Sequence, residues 1–204
     1  MKHESTRAAA QPKLEEDPRH HHVCPWWVGY LIASPLRKLG EDPETILGPL
    51  VGPGDTTIDI GSAMGFFSLP LARMVGEHGR VVCVDVQQRM LAGLVRRARR
   101  KGLESIIETR LCSQESLGLE DLSGQADLVL AVHVVHEAAY PKRFLTQIVD
   151  VLRPGGRLLV IEPRGHVSEA EFEATRHLAS DVGLDEIDLT RLRRSTALLF
   201  RRHS

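Results

Sequence analysis

No apolar run in this 204-residue chain approaches the roughly 20 residues that a helix needs to cross a bilayer. The opening residues, Met1 to Arg7, have no apolar stretch behind them, so no secretory signal is expected. Charge of one sign is lacking too. A net charge of −1 argues against a general role on nucleic acid or at a membrane surface. Cysteine is scarce: Cys24, Cys83 and Cys112 are an odd number without paired spacing, which fits a cytoplasmic protein with reduced thiols. Cys83, inside an apolar strand pattern, reads as a core residue. No internal repeat recurs. What remains suits one domain, long enough to bury a proper core.

Against these absences, one stretch stands out. Thr56-Thr-Ile-Asp-Ile60 is a β-prone apolar run carrying an acid, and the turn Gly61-Ser-Ala-Met-Gly65 follows at once. A helical pattern runs from Phe66 to Val75. A second short strand, Arg80 to Val84, then closes on a second acid, Asp85, twenty residues after Gly65. Strand, small-residue turn, helix, strand and acid form the unit that holds a nucleoside at the C-terminal edge of a parallel sheet. The turn lacks the Gly-x-Gly-x-x-Gly order that brings bare backbone N–H groups to a pyrophosphate. It carries Asp59 two residues before its first glycine, and an anion there repels phosphate while favouring an ammonium or sulfonium.

Further along, strands are expected near 105–111, 127–132, 157–162, 184–189 and 195–201. Helices are expected near 65–76, 87–101, 141–152 and 168–181, after a short one from Pro43 to about Leu50. Pro141 suits the first helical position, and Ser168 with Glu171 has capping-box spacing. The alternation predicts a parallel sheet with helices on both faces, closed by an antiparallel C-terminal pair. Ligand is then expected where the loops after residues 60, 85, 112 and 132 converge.

The Asp59-x-Gly61-x-Ala63-x-Gly65 spacing resembles motif I of the class I S-adenosylmethionine (SAM)-dependent methyltransferases, and Asp85 falls where their ribose-binding acid falls. Ala126-Asp127-Leu-Val-Leu-Ala131 is similar to the family's fourth strand. Leu152-Arg-Pro-Gly-Gly-Arg-Leu-Leu-Val-Ile-Glu162 is similar to its Leu-Lys-Pro-Gly-Gly turn and fifth strand. The resemblance covers about residues 47 to 165. Ala63 replaces the middle glycine of the motif, and Ser113 stands where many members have an Asp near the adenine. The resemblance implies a Rossmann-like, doubly wound α/β fold with seven mostly parallel strands and an antiparallel C-terminal edge. The implied organisation is a disordered tail over 1–18, a helical lid or cap over 19–50 and a SAM-binding domain over 51–204.

The same resemblance implies residue roles. Gly61, Ser62, Ala63, Met64 and Gly65 would wrap the methionine half of SAM, with Asp59 accepting from its ammonium. Asp85 would take both ribose hydroxyls, a bidentate task suited to a carboxylate. Val86, Gln87 and Met90 would line the adenine face, Met90 being equally readable as core, and Ser113 and Gln114 would meet the adenine edge. Ala131 and His133 would floor the cleft near the sulfonium. His133, His136 and His166 are the acceptor-side candidates, His136 sitting where many small-molecule members carry a histidine. A neutral imidazole is the natural proton acceptor at pH 7. Capping, acid–base and metal-ligand roles all remain open for these histidines, since His133-x-x-His136 lacks a clear third ligand and no metal is predicted.

Aromatics are few, yet both tryptophans and one of the two tyrosines fall at Trp26, Trp27 and Tyr30. Either a helix packed on the sheet or a lid accounts for them, and as a lid Tyr30 would meet SAM or the acceptor. The basic run Arg96-Arg97-Ala-Arg99-Arg100-Lys101 reads as a solvated helix end, with an RNA patch as the competing reading. The expected activity is methyl transfer from SAM to a small molecule, by a monomer or homodimer without nucleic-acid or membrane partners. The alternatives are an RNA or protein methyltransferase, for which no Asn-Pro-Pro-Tyr motif is present, and a non-catalytic SAM- or metal-binding module.

Overall fold

A computed structural model describes residues 42–162, 165, 167–187 and 197–204. Seven strands form one sheet: β1 (Thr56–Ile60), β2 (Arg80–Asp85), β3 (Ile107–Leu111), β4 (Ala126–Val132), β5 (Leu152–Ile161), β6 (Leu184–Ile187) and β7 (Ala197–Arg202). Among the described residues, five helices connect or flank them: α1 (Pro43–Leu47), α2 (Ser68–Val75), α3 (Gln88–Arg100), α4 (Pro141–Val151) and α5 (Glu169–Asp181). Their starts follow from local chemistry. Asp42 caps α1 by accepting from the Thr45 N–H at 3.2 Å, and Ser168 and Glu171 form the expected capping box on α5.

The strand order is β3-β2-β1-β4-β5-β7-β6, with β1 to β5 parallel and β7 antiparallel to both β5 and β6. The chain winds outward from β1 through β2 to β3, then returns to the far side of β1 with β4. The winding direction therefore reverses between β1 and β4. That switch point leaves a crevice beyond their C-terminal ends. The central strands are apolar on both faces because helices cover both. Ile58, Ile60, Val82, Val84, Val129 and Ala131 pack with Leu145, Ile148 and Phe200 on one face. Val81, Cys83, Leu128 and Leu130 pack with Leu47, Leu71 and Leu94 on the other. Each fully buried Leu or Ile contributes about 1.5–3 kcal/mol.

Three details depart from the sequence reading. β5 begins at Leu152 rather than near 157, because Arg153-Pro-Gly-Gly156 bulges between the Ala126–Leu152 and Leu128–Arg157 pairings. Asp127 is a clasp at the sheet's N-terminal edge: it accepts from the Thr56 N–H at 2.8 Å and from Arg153 Nε at 2.5 Å. Arg97, expected in solvent, is half-buried and donates to the Met64 carbonyl. The tail over 1–18, the Trp26, Trp27 and Tyr30 segment and His166 lie outside the described residues.

Candidate active site

β1 delivers Asp59 to the crevice and then turns at Gly61, which has φ +72°. A methyl group on Gly61 would lie 2.2 Å from Val134 Cγ1, so the position needs glycine for backbone sign and for space. Gly61 and Ser62 both donate to the Val84 carbonyl, at 2.8 and 3.1 Å, which binds the turn to β2. Ala63 also has a positive φ, +46°, and its N–H points into the carboxylate of Asp85 at 2.9 Å. The other Asp85 oxygen accepts from the Gln87 N–H at 2.8 Å. Burial raises the Asp85 pKa above its ordinary value, with those two N–H bonds opposing the rise. Asp59 is buried and takes the Ser68 hydroxyl at 2.5 Å. The Ser62 hydroxyl is buried without a hydrogen-bond partner among the described residues.

On the other side of the crevice β4 ends at Val132, and His133 follows it. The His133 N–H extends the sheet by donating to Ile161 at 2.7 Å. The residue itself sits at φ +59°, an uncommon conformation for a side-chain-bearing residue. That turn throws the chain into the short helical turn Val135–Glu137. There His136 meets Glu162, just beyond the end of β5. Glu162 accepts from His136 Nδ1 at 2.5 Å and from the His136 backbone N–H at 3.1 Å. The Glu162 side chain is 4% exposed and that of His136 26%. The Glu162 hydrogen bond raises the His136 pKa above the ordinary imidazole value. Partial burial opposes it, and Glu137 and Glu171 add to it.

These elements enclose a cavity of about 400 Å³. Asp59, Gly61, Ser62, Ala63, Asp85, Val86, Gln87, Met90, Ser113 and Gln114 line it on the β1, β2 and β3 side. His133 and His136 line it beyond β4, beside an apolar wall of Val134, Ala138, Ala139 and Phe144. No lysine or arginine lines it among the described residues. No group of three or more His, Cys, Asp or Glu suited to a metal occurs among them either.

Met64, Gly65 and Ala131 do not line the cavity. Met64 is 1% exposed and turns inward onto Gly93 of α3, where a Cβ would lie 3.0 Å from its Cγ. The helix-interior glycine was the sequence sign of that close approach. Gly65 packs over Leu94, and Ala131 is buried beneath the sheet's end between Ile60 and Val160. Glu162 went unread in the sequence. The sign was available: like Asp59 and Asp85, it is an acid at the C-terminal end of an apolar parallel strand. The apolar wall gave no such sign, because single apolar residues in loops carry no periodicity.

Comparison with known proteins agrees with this architecture. The family described as "Methyltransferase domain" matches residues 58–160, just over half of the chain. An uncharacterized 37.1 kDa protein in transposon TN4556 of Streptomyces fradiae is 36% identical over 113 residues, 54% of this chain and 31% of that protein. The ubiquinone/menaquinone biosynthesis C-methyltransferase UbiE of Escherichia fergusonii is 30% identical over 109 residues, 53% of this chain and 43% of that protein. The chain thus spans less than half the length of these relatives. Among solved structures, a SAM-dependent methyltransferase from Aquifex aeolicus superposes with a TM-score of 0.72 at 21% identity, covering 88% of this chain and 98% of that one, which shows a shared fold. With the matched domain running from β1 to β5 through the turn, the second acid and the switch point, the chain belongs to the class I SAM-dependent methyltransferase family.

Proposed function

We propose that this protein transfers the methyl group of SAM to a small-molecule acceptor bound against the Val134, Ala138, Ala139 and Phe144 wall. The observation that carries the reading is the cavity's charge. Its β1–β2 side presents two buried carboxylates, Asp59 and Asp85, and no basic side chain among the described residues. Such a site repels a dinucleotide's pyrophosphate and favours a ligand that is cationic at one end and bears sugar hydroxyls at the other. The residues fit SAM. Asp85 is held rigid by Ala63 and Gln87 and keeps lone pairs for a vicinal diol. The buried, unpartnered Ser62 hydroxyl supplies a further polar contact at the turn. Val86 and Met90 offer apolar surface to the adenine, with Ser113 and Gln114 at its edge.

Bound SAM would supply an electrophilic methyl carbon whose bond to sulfur breaks, leaving the electron pair on sulfur, as the acceptor attacks in line. The protein's part is then alignment and exclusion of water, worth most of the acceleration when the reacting atoms are held about 3–3.5 Å apart. His133 and His136 are the polar groups on the acceptor side, with Tyr30 and His166 as candidates outside the described residues. The C-methyltransferase name of the UbiE relative supports a small-molecule acceptor.

Calorimetry on the wild type and Asp85→Ala tests the cofactor. Loss of two charge-assisted hydrogen bonds, each about 1.5–3 kcal/mol, is expected to weaken SAM at least tenfold. Equal SAM affinity in both proteins, or tighter binding of NADH than of SAM, overturns the assignment. An S-adenosylhomocysteine release assay over a metabolite panel, with RNA as control, then tests the acceptor class.

A further inference from the structure

Glu162 spends both carboxylate oxygens on one residue. One takes the backbone N–H of His136 and the other its Nδ1, at 3.1 and 2.5 Å, and the carboxylate itself is 4% exposed. Neither the family match nor the position of His136 in the chain calls for this clamp. A buried carboxylate bound to Nδ1 requires a proton on that nitrogen. In the neutral imidazole, Nε2 is then left as the lone-pair nitrogen of a side chain that lines the acceptor side of the cavity.

We propose that Glu162 is a positioning residue that holds His136 as its Nδ1–H tautomer, so that Nε2 takes a proton from an acceptor of the phenol or enol class. The inference rests on the methyltransferase reading and names the acceptor chemistry of that site. A pyridine-type nitrogen or a thioether, neutral at pH 7, attacks a methyl carbon without first losing a proton. A clamped base at the acceptor wall matters for a neutral group that becomes nucleophilic only on ionising. Phenols and enols do so, and their conjugate bases carry electron density on oxygen and on the adjacent carbon. The wall of Val134, Ala138, Ala139 and Phe144 suits a flat, uncharged body of that kind. The balance closes. The O–H proton passes to Nε2, and the freed electron pair, on oxygen or carbon, forms the new bond to the methyl carbon. The sulfur keeps the pair of the broken S–C bond. The sulfonium's positive charge thereby ends as a proton on His136, which is released to solvent; for attack through the ring carbon of a phenol, transfer of the ring proton to the oxygen restores the aromatic system.

Among the described residues, the charged groups around the imidazole all favour its protonated form: Glu162 beyond β5, Glu137 on its own turn with an oxygen 4.0 Å from Nε2, and Glu171 on α5. The base is therefore withdrawn by protonation at higher pH than an ordinary histidine. The acid limb of turnover should lie above the usual imidazole range, and removing the Glu162 charge should move it to lower pH.

Long-range proton–nitrogen NMR of the ring, assigned with His136→Asn, reports the tautomer in the full chain without any acceptor. The wild type is expected as Nδ1–H at pH 9. Glu162→Gln, whose amide can donate to Nδ1, should switch it to Nε2–H and lower its titration midpoint. Glu162→Asp, which keeps the charge, should retain Nδ1–H in part and shows that the effect is electrostatic should the glutamine variant fold poorly. SAM affinity by calorimetry should agree within twofold across the set, which separates this inference from the cofactor reading. If SAM fails to bind the wild type while the tautomer behaves as described, the cofactor reading falls and the clamp stands without its methyl-transfer role. On a panel of phenols, enolisable ketones, pyridines and thioethers, product should form from the first two, and kcat should fall about 10²–10⁴-fold in Glu162→Gln with KM for SAM unchanged. An Nε2–H ring in the wild type, identical titration in wild type and Glu162→Gln, or turnover confined to pyridines and thioethers overturns the proposal.

Discussion

Replacing Gly61 by alanine puts two separable penalties on the turn after β1. The backbone there has φ +72°, where an L-residue costs about 1–2 kcal/mol. The added Cβ also lands 2.2 Å from Val134 Cγ1, and forcing an extra methyl into packed surroundings costs about 1–3 kcal/mol. Together the loss is about 2–5 kcal/mol. For a domain of this size each kcal/mol lowers the melting temperature by about 2–4 °C, so a fall of about 4–20 °C is expected. Val134→Ala removes the clash at its source, because the nearest remaining Val134 atom is Cβ at 3.5 Å, an ordinary contact. The double variant should therefore be more stable than the sum of the singles predicts, by about 1–3 kcal/mol. Gly102→Ala is the control for the backbone penalty alone, since Gly102 has φ +65° and nothing within 4 Å of its would-be Cβ. Urea and thermal unfolding of the four variants and the wild type measure the cycle. Additivity of Gly61→Ala and Val134→Ala within about 0.5 kcal/mol would refute the claim that packing against the β4 loop, beyond backbone sign, demands glycine at the start of the turn.

Two further outcomes follow from the same geometry. Arg97→Met keeps the aliphatic stem but removes the donor to the Met64 carbonyl, so stability should fall by about 1.5–3 kcal/mol and amide exchange over residues 61–65 should quicken; unchanged exchange there would show that Arg97 does not hold the turn. Burial, with Asp85 adding to it, pushes the Cys112 thiol up to about 11, so alkylation of Cys112 followed by peptide mass spectrometry should be slow at pH 7.5, accelerate toward pH 11 and be blocked by SAM; reaction at the rate of an ordinary exposed thiol at pH 7.5 would contradict the placement.

Much of this protein could be read before any coordinates. The strand–turn–helix–strand unit, both acids, the antiparallel C-terminal pair and the α5 capping box are short-range patterns. Periodicity, caps and turn chemistry act between residues close in sequence, and all are written locally. What lay beyond reach depended on neighbours distant in sequence. Met64 has the right place in the turn to meet a ligand, but Gly93, almost thirty residues on, offers it a berth in the core. Arg97 belongs by composition to a solvated basic run, and only the packing of α3 under the turn brings it to a carbonyl. Asp127 reads in the sequence only as part of the fourth strand, and its partners Thr56 and Arg153 come from the two strands beside it. The His136–Glu162 pair joins residues 26 apart in the chain across the β4–β5 edge. The sequence by itself determined that acids would stand at or beside the C-terminal ends of these strands, where turns and loops can supply the hydrogen bonds a buried acid needs. Which acid meets the histidine, and which meets only backbone, was decided by the strand order, since the pairing of β4 with β5 is what brings the turn after one beside the acid after the other.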